Sequence, residues 1–218
     1  WRFAETSACA LCPGNDRLYV GGRGFVLALS AEGKEIWRHR ASIQGTVVAV
    51  SKVGNRLFVG DAGDRLLVVD TLHGTSLGRW GPVLGNGQVR DLDASVAQVV
   101  VGLHSGSVVL LDASGQVSWR FQPDGAVPVR WVRFQGSKIL AFGRQIIEMD
   151  SENQVQKRSP VVQGPAPFAA STRSVAYGDG QQVLDGRGLT LVRCGEPVSA
   201  LTWDGAVPAR NLIPRGPK

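Results

Sequence analysis

Two stretches of this chain are written on one plan. Residues 24–38 read Gly-Phe-Val-Leu-Ala-Leu-Ser-Ala-Glu-Gly-Lys-Glu-Ile-Trp-Arg, and residues 106–121 read Gly-Ser-Val-Val-Leu-Leu-Asp-Ala-Ser-Gly-Gln-Val-Ser-Trp-Arg-Phe. In both, an apolar run of strand length ends at Ser or Asp. A short turn then closes on Gly, and a second strand carries Trp-Arg. The opening tripeptide Trp1-Arg2-Phe3 repeats Trp119-Arg120-Phe121. A recurring unit fixes an architecture, because each copy must bury its apolar surface against its neighbours. The opening also leads us to expect a chain that begins in mid-repeat, as an excised or processed domain would.

The repeat extends along the chain. Apolar strands ending in glycine recur as Leu18–Gly21, Leu57–Gly60, Val99–Gly102, Leu140–Gly143 and Val175–Gly178, so the glycines are spaced 39, 42, 41 and 35 residues apart. After each comes a second apolar strand: Phe25–Leu29, Leu66–Val69, Val108–Leu111, Gln145–Met149 and Gln181–Leu184. These end at Ser30, Asp70, Asp112, Asp150 and Asp185, where a polar turn leads into a third strand. Segments such as Gly45–Val50, Gly87–Leu92 and Pro128–Phe134 supply a fourth. Four short strands in roughly 40 residues is the period of a β-propeller blade. One such blade has two apolar faces and can bury neither alone. Stacking on both neighbours buries both, which explains runs that are apolar throughout instead of alternating.

The fold expected is therefore all-β: a propeller of five visible four-stranded blades within residues 1–205, at about 5–42, 43–83, 84–123, 124–163 and 164–195. Residues 1–4 and 196–205 read as partial blade strands at the two termini. Three ways of closing the ring stay open: a larger propeller, a five-blade ring with spare ends, or an open ring completed by a partner. Residues 206–218, with Pro208, Pro214 and Pro217, read as an extended tail or docking segment. Trp37, Trp119 and Trp80 (the last one position displaced) are expected as large plates packed between blades. A β-sandwich is the alternative, and five landmarks at near-constant spacing argue against it.

The pattern Asp-x-x-Gly-x-x-x-Trp at Asp112–Trp119, matched at Ser30–Trp37 with Ser in place of Asp, resembles the repeat of pyrroloquinoline-quinone-type propellers. That superfamily includes quinoprotein dehydrogenases and non-enzymatic outer-membrane assembly scaffolds, so the resemblance implies one of these two kinds of function. Asp70–Trp80 matches loosely, and the fourth and fifth repeats lack the Trp. The Gly-His and Trp-Asp pairs of WD40 blades do not recur.

Chemistry is sparse. A quinoprotein dehydrogenase calls for eight blades, a calcium site and often a vicinal disulfide; the sequence offers five blades, no adjacent cysteines and no acidic cluster. No catalytic residue, cofactor or metal site is assigned. Cys9 and Cys12 form a C-x-x-C, but Cys194 is the only further thiol, so the pair is expected as buried small residues. His39 falls on an outer strand and His73 in a turn, while His104 sits in a blade loop. Asp91 and Asp93 stand two apart on one strand, and are expected to pair with Arg90 or neighbouring arginines. No apolar run reaches the roughly 18 residues of a membrane helix. The net charge of +6 comes from scattered residues with no basic run, which makes nucleic-acid association a third reading behind two protein-like ones.

The favoured reading is a non-catalytic protein–protein interaction or scaffolding propeller, a domain of a larger protein or a subunit of an assembly. A quinoprotein-like cofactor-binding or periplasmic scaffold propeller is the alternative. Candidate partner-binding residues are Arg23, Arg65, His104 and Arg144 in the loops between second and third strands, with Arg90, Arg130 and Trp131 near the channel. Arg and Trp combine apolar contact with directional donors. An Arg-rich mouth suits an acidic peptide or a phosphorylated partner, and another propeller segment is the partner expected if the ring is open. A cytoplasmic location is favoured, with a periplasmic one expected if an upstream signal has been removed.

Overall fold

The structure is a computed structural model, which describes residues 8–61, 66–80, 88–122, 127–158, 168–170, 175–179, 182–185 and 190–193. The expected terminal strands 1–4 and 196–205, the tail 206–218, Cys194 and Arg65 lie outside the described residues. The described elements are strands, and they form five four-stranded antiparallel sheets. The first contains β1 (Ala8–Pro13), β2 (Arg17–Gly22), β3 (Phe25–Ser30) and β4 (Glu35–His39). The second contains β5 (Ala49–Val53), β6 (Arg56–Gly60), β7 (Leu66–Asp70) and β8 (Ser76–Trp80). The third contains β9 (Val89–Ala94), β10 (Gln98–Leu103), β11 (Val108–Asp112) and β12 (Val117–Phe121). The fourth contains β13 (Trp131–Gln135), β14 (Lys138–Phe142), β15 (Ile146–Met149) and β16 (Val155–Arg158). The fifth contains β17 (Phe168–Ala170), β18 (Val175–Asp179), β19 (Gln182–Asp185) and β20 (Thr190–Arg193). Each sheet is a meander with its strands in chain order. The fold is a β-propeller, and each sheet is a blade.

By their internal contacts the residues fall into two compact units, Trp1–Arg133 and Phe134–Lys218. The first holds three complete blades. Its second blade shows why the apolar runs are continuous. Leu57, Val59, Leu67 and Val69 pack with Tyr19, Val26, Ala28 and Trp37 of the first blade. Phe58, Leu66 and Val68, the alternate positions, pack with Val99, Val101, Val109 and Leu111 of the third. With period 2 along a strand, a sheet buried on both faces needs an apolar residue at every position.

The glycine ending each second strand is set by space. A Cβ on Gly21 would lie 2.3 Å from Val47, on Gly60 2.5 Å from Val89, and on Gly102 2.5 Å from Val129. Each valine belongs to the segment entering the next blade, and each is fully buried. This corrects one expectation. Gly45–Val50 reads as a strand, yet β5 begins only at Ala49. Val47 is apolar because it plugs the space above Gly21, not because it sits in the ladder.

The turn after each third strand is also built once and reused. The Ser30 hydroxyl accepts the N–H groups of Glu32 and Lys34. Asp112 Oδ1 does the same for Ser114 and Gln116, and Asp150 Oδ1 for Glu152 and Gln154. The residue that closes the turn has positive φ: Gly33 at 80°, Gly74 at 71°, Gly115 at 83° and, in the fourth blade, Asn153 at 66°. Gly and Asn are the residues that adopt this conformation at least cost.

Candidate functional site

In every blade the two hairpin turns lie at one end of the sheet, the turn end. The loop between second and third strands lies at the other, with the linker to the next blade; this is the loop end. In the first unit, backbone bonds pin the loops to the linkers. Gly24 N–H donates to the Gly45 carbonyl at 2.8 Å, and Val47 N–H to that of Gly22 at 3.0 Å. His104 N–H donates to Gln88, and Val129 N–H to Leu103. The His104 loop is tied further: Ser107 Oγ donates to Gln122 Oε1, whose amide donates to the Ser105 carbonyl.

Arg23, Arg90, His104 and Arg130 are exposed at this end of the first unit, and Arg144 is exposed in the second. Arg40, in the linker after β4, is a further exposed cation at this end. Reading the β2–β3 type loops alone passed over it, although its place in the inter-blade linker is visible in the sequence. Trp131, grouped with these by its strand, is only 8% exposed and sits in the core, so it is not displayed to a partner.

The acidic groups at the loop end are already engaged. Asp61 is fully buried; its Oδ2 accepts from the Gln44 N–H at 2.8 Å and from Arg79 Nη2 at 3.0 Å. Asp91 Oδ2 accepts from the Val132 N–H at 2.9 Å and from Arg133 Nη1 at 2.5 Å. Burial pushes the Asp91 carboxyl up, while the Arg133 charge and the Val132 N–H pull it back. The partner of Asp91 is therefore an arginine from the next blade's first strand and not Arg90. Asp93 is bonded to Ser51 instead, so the two carboxylates are no acid–base pair.

The aromatic plates sit between blades. The Trp37 indole lies 2.6 Å from where a Cβ of Gly74 would be, and its Nε1–H donates to the Thr71 carbonyl at 3.0 Å. Trp80 lies 2.8 Å from the same point on Gly115. Trp37 pairs with Ala28 and Trp119 with Leu110, whereas Gly78 occupies the matching place against Val68. Trp80 is thus displaced by two positions, not one, and a displacement of two keeps the side chain on the same face. Trp119 is half-buried.

Three expectations need correction or detail. Cys9 is exposed, not buried, and Cys12 is half-buried. Burial pushes the Cys12 thiol up, away from the reactive thiolate form. His39 ends the outer strand β4, as expected, and is buried there with its Nδ1 bonded to the Gly74 carbonyl at 2.9 Å. His73 is an exposed turn residue beside Asp70. Among the described residues, no three His, Cys, Asp or Glu side chains group as metal ligands do, and no helix is long and apolar enough to cross a membrane.

Comparison with known proteins agrees with this architecture. The family model for outer membrane protein assembly factor BamB matches residues 1–187. Among solved structures, BamB from Moraxella catarrhalis is similar over 93% of this chain and 69% of its own length, at 15% identity and a TM-score of 0.67. The computationally designed Ika8 protein is similar over 90% of this chain and 65% of its own, at 18% identity and a TM-score of 0.73. The chain thus spans about two thirds of the length of each. At these identities the two structures speak for the fold alone. No curated protein matches the chain.

Proposed function

From the premise that this chain belongs to the family of outer membrane protein assembly factor BamB, we propose that it is a non-catalytic interaction propeller whose loop end holds an acidic segment of a protein partner. The name of the family supports a partner engaged in outer membrane protein assembly. In the first unit Arg23, Arg90 and Arg130, with His104 and Arg40, are the residues proposed to meet it; Arg144 is proposed as a contact of the second unit by itself.

One observation carries the reading. Among the described loop-end residues of the first unit, each carboxylate is already held by an arginine, Asp61 by Arg79 and Asp91 by Arg133. Arg23 and Arg90 are exposed and pair with no carboxylate among the described residues. The turn end, by contrast, carries the exposed acids Asp16 and Glu32. A positive loop end of this kind attracts acidic partners at long range and offers forked donors at short range.

Capture from a cell-envelope extract tests it. The unchanged chain should retain a stoichiometric protein partner at low ionic strength and lose it as salt rises. The double variant Arg23→Glu with Arg90→Glu should retain none, while Lys34→Gln, at an exposed position of the turn end, should behave as the unchanged chain. A partner held equally by the double variant overturns the loop-end assignment. No partner under any condition overturns the interaction role.

A further inference from the structure

The two complete junctions in the first unit are made from the same parts and finished differently. Arg17 and Arg56 hold equivalent places, each four residues before a landmark glycine and opposite the Ser or Asp that starts the outer turn. At the first junction Arg17 Nη1 donates to the carbonyls of Thr71 and Leu72, at 3.1 and 3.5 Å, and Trp37 Nε1–H donates to Thr71. The turn of the second blade therefore caps the junction. In the third blade the turn closes at Gly115 on Asp112, one residue sooner than Gly74 closes on Asp70. Gly115 lies against Trp80, but no carbonyl of this turn accepts from Arg56 or Trp80 among the described residues. Arg56 stacks on the Trp80 ring at 5.1 Å and makes no hydrogen bond or ion pair among the described residues; the Trp80 N–H likewise has no acceptor there.

The result is a shallow groove open to solvent, lined by Val53, Arg56, Trp80, Val96, Asp112 and Ala113 among others. Val96, at its lip, is 92% exposed, the most exposed large apolar side chain described. Asp112, whose Oδ1 accepts from Ser114 and Gln116, makes no ion pair with Arg56 among the described residues. The Arg56 guanidinium and the Trp80 indole thus line the groove, with an apolar ledge beside them.

We propose that this groove binds an extended peptide segment of a protein partner, carrying an acidic side chain next to an apolar one. A carboxylate takes the Arg56 fork, a backbone carbonyl takes the Trp80 N–H, and the apolar side chain rests on Val53, Val96 and Ala113. The segment completes the second junction as Thr71 and Leu72 complete the first. A lone cation stacked on an aromatic ring is a favourable anchor for a carboxylate, because the ring holds the guanidinium flat and its edge free. The site is at the turn end and stands apart from the loop-end surface.

The test uses the full ¹⁵N-labelled chain and two blocked heptapeptides, one with valine–glutamate–valine at its centre and one with glutamine in place of glutamate. The glutamate peptide should move the indole N–H resonance of Trp80, assigned by its loss in Trp80→Phe. The glutamine peptide should bind about tenfold more weakly, because a charge-assisted bond is lost. Arg56→Gln should weaken the glutamate peptide equally, and Val96→Asp should abolish its binding; both changes are on exposed side chains and leave the fold intact. Replacing Ala113 and Ser114 by the threonine, leucine and histidine of the longer turn should close the groove and abolish binding. Arg23→Glu should leave binding unchanged, which separates this site from the loop end. Equal binding of the two peptides, binding that survives Arg56→Gln, or no shift at about 5 mM peptide overturns the proposal.

Discussion

The first and second junctions of this propeller use the same residues to opposite ends. At both, an aromatic ring from a second strand meets the tryptophan of the outer strand: Tyr19 and Trp37 with centroids 6.0 Å apart, Phe58 and Trp80 at 5.1 Å. At both, the tryptophan lies on the glycine that closes the next turn. At one, the tryptophan and arginine are hydrogen-bonded across the junction; at the other the arginine is exposed and the tryptophan half-buried. The difference traces to a single inserted residue in the turn after Asp70. One turn residue decides whether a junction is sealed or presents a groove.

The largest effect that separates the junctions is loss of the tryptophan. Trp37 is 9% exposed and bonded to Thr71, so Trp37→Ala should destabilise by about 4 kcal/mol, as large-to-small changes in cores do. Trp80 is half-buried and lacks that bond, so Trp80→Ala should cost about half as much, near 2 kcal/mol. Urea unfolding measures both. Equal losses would mean that the second junction is as well sealed as the first.

What the two junctions share is tested next. Gly21→Ala and Gly60→Ala each drive a methyl group into a buried valine, Val47 or Val89. Each should cost about 3 kcal/mol, the upper range for overpacking. Pairing Gly60→Ala with Val89→Ala should return part of the loss. If Gly60→Ala costs less than 1 kcal/mol, the plug is not what the glycine is for.

These glycines also show how far the sequence can be read. Their spacing made five blades countable, and the continuous apolar runs showed that both faces of a blade are buried, because both signals are local and repeated. Val47 and Val129 read as strand residues yet lie before β5 and β13, because hydrophobicity reports burial and not the ladder, whereas Val89 does open β9 and pairs with Leu103. The loop-end arginines were legible as residue types in loops. That Asp61 and Asp91 are consumed by Arg79 and Arg133 was not, since those bonds join residues 18 and 42 positions apart. The groove at Arg56 was missed because its cause is the absence of one residue, and a shorter turn looks like ordinary variation between repeats. The recurrence of Arg17 and Arg56 four residues before a landmark glycine was the signal available.

The arginines differ by less. Arg17→Met removes two donors from partly buried carbonyls and should cost about 1 kcal/mol. Arg56→Met loses the guanidinium's contact with the Trp80 ring but breaks no hydrogen bond among the described residues, so it should cost about 0.5 kcal/mol. If Arg56→Met costs as much as Arg17→Met, Arg56 has a partner in solution and the second junction is closed.

The smallest effect concerns what the two turns have in common. Asp70 and Asp112 both sit well below the usual carboxylate range: Asp70 chiefly through the His73 N–H, Asp112 chiefly through the Ser114 hydroxyl and then the Gln116 N–H. A carboxyl whose value is lowered by folding contributes stability above its unfolded value, and that contribution is lost as pH falls through the folded one. Asp70→Asn and Asp112→Asn each keep an acceptor oxygen for the turn and remove the titration. Each variant should therefore lose less stability than the unchanged chain between about pH 5 and pH 2. The flattening should be similar in both, because the cap is the same although the turns differ in length. A flattening confined to Asp70→Asn would show that the longer turn is held by its contact with Arg17, and that the carboxylate cap of the shorter turn is loose. The wall of the groove beside Ala113 would then be soft, and a peptide bound there would have to order it.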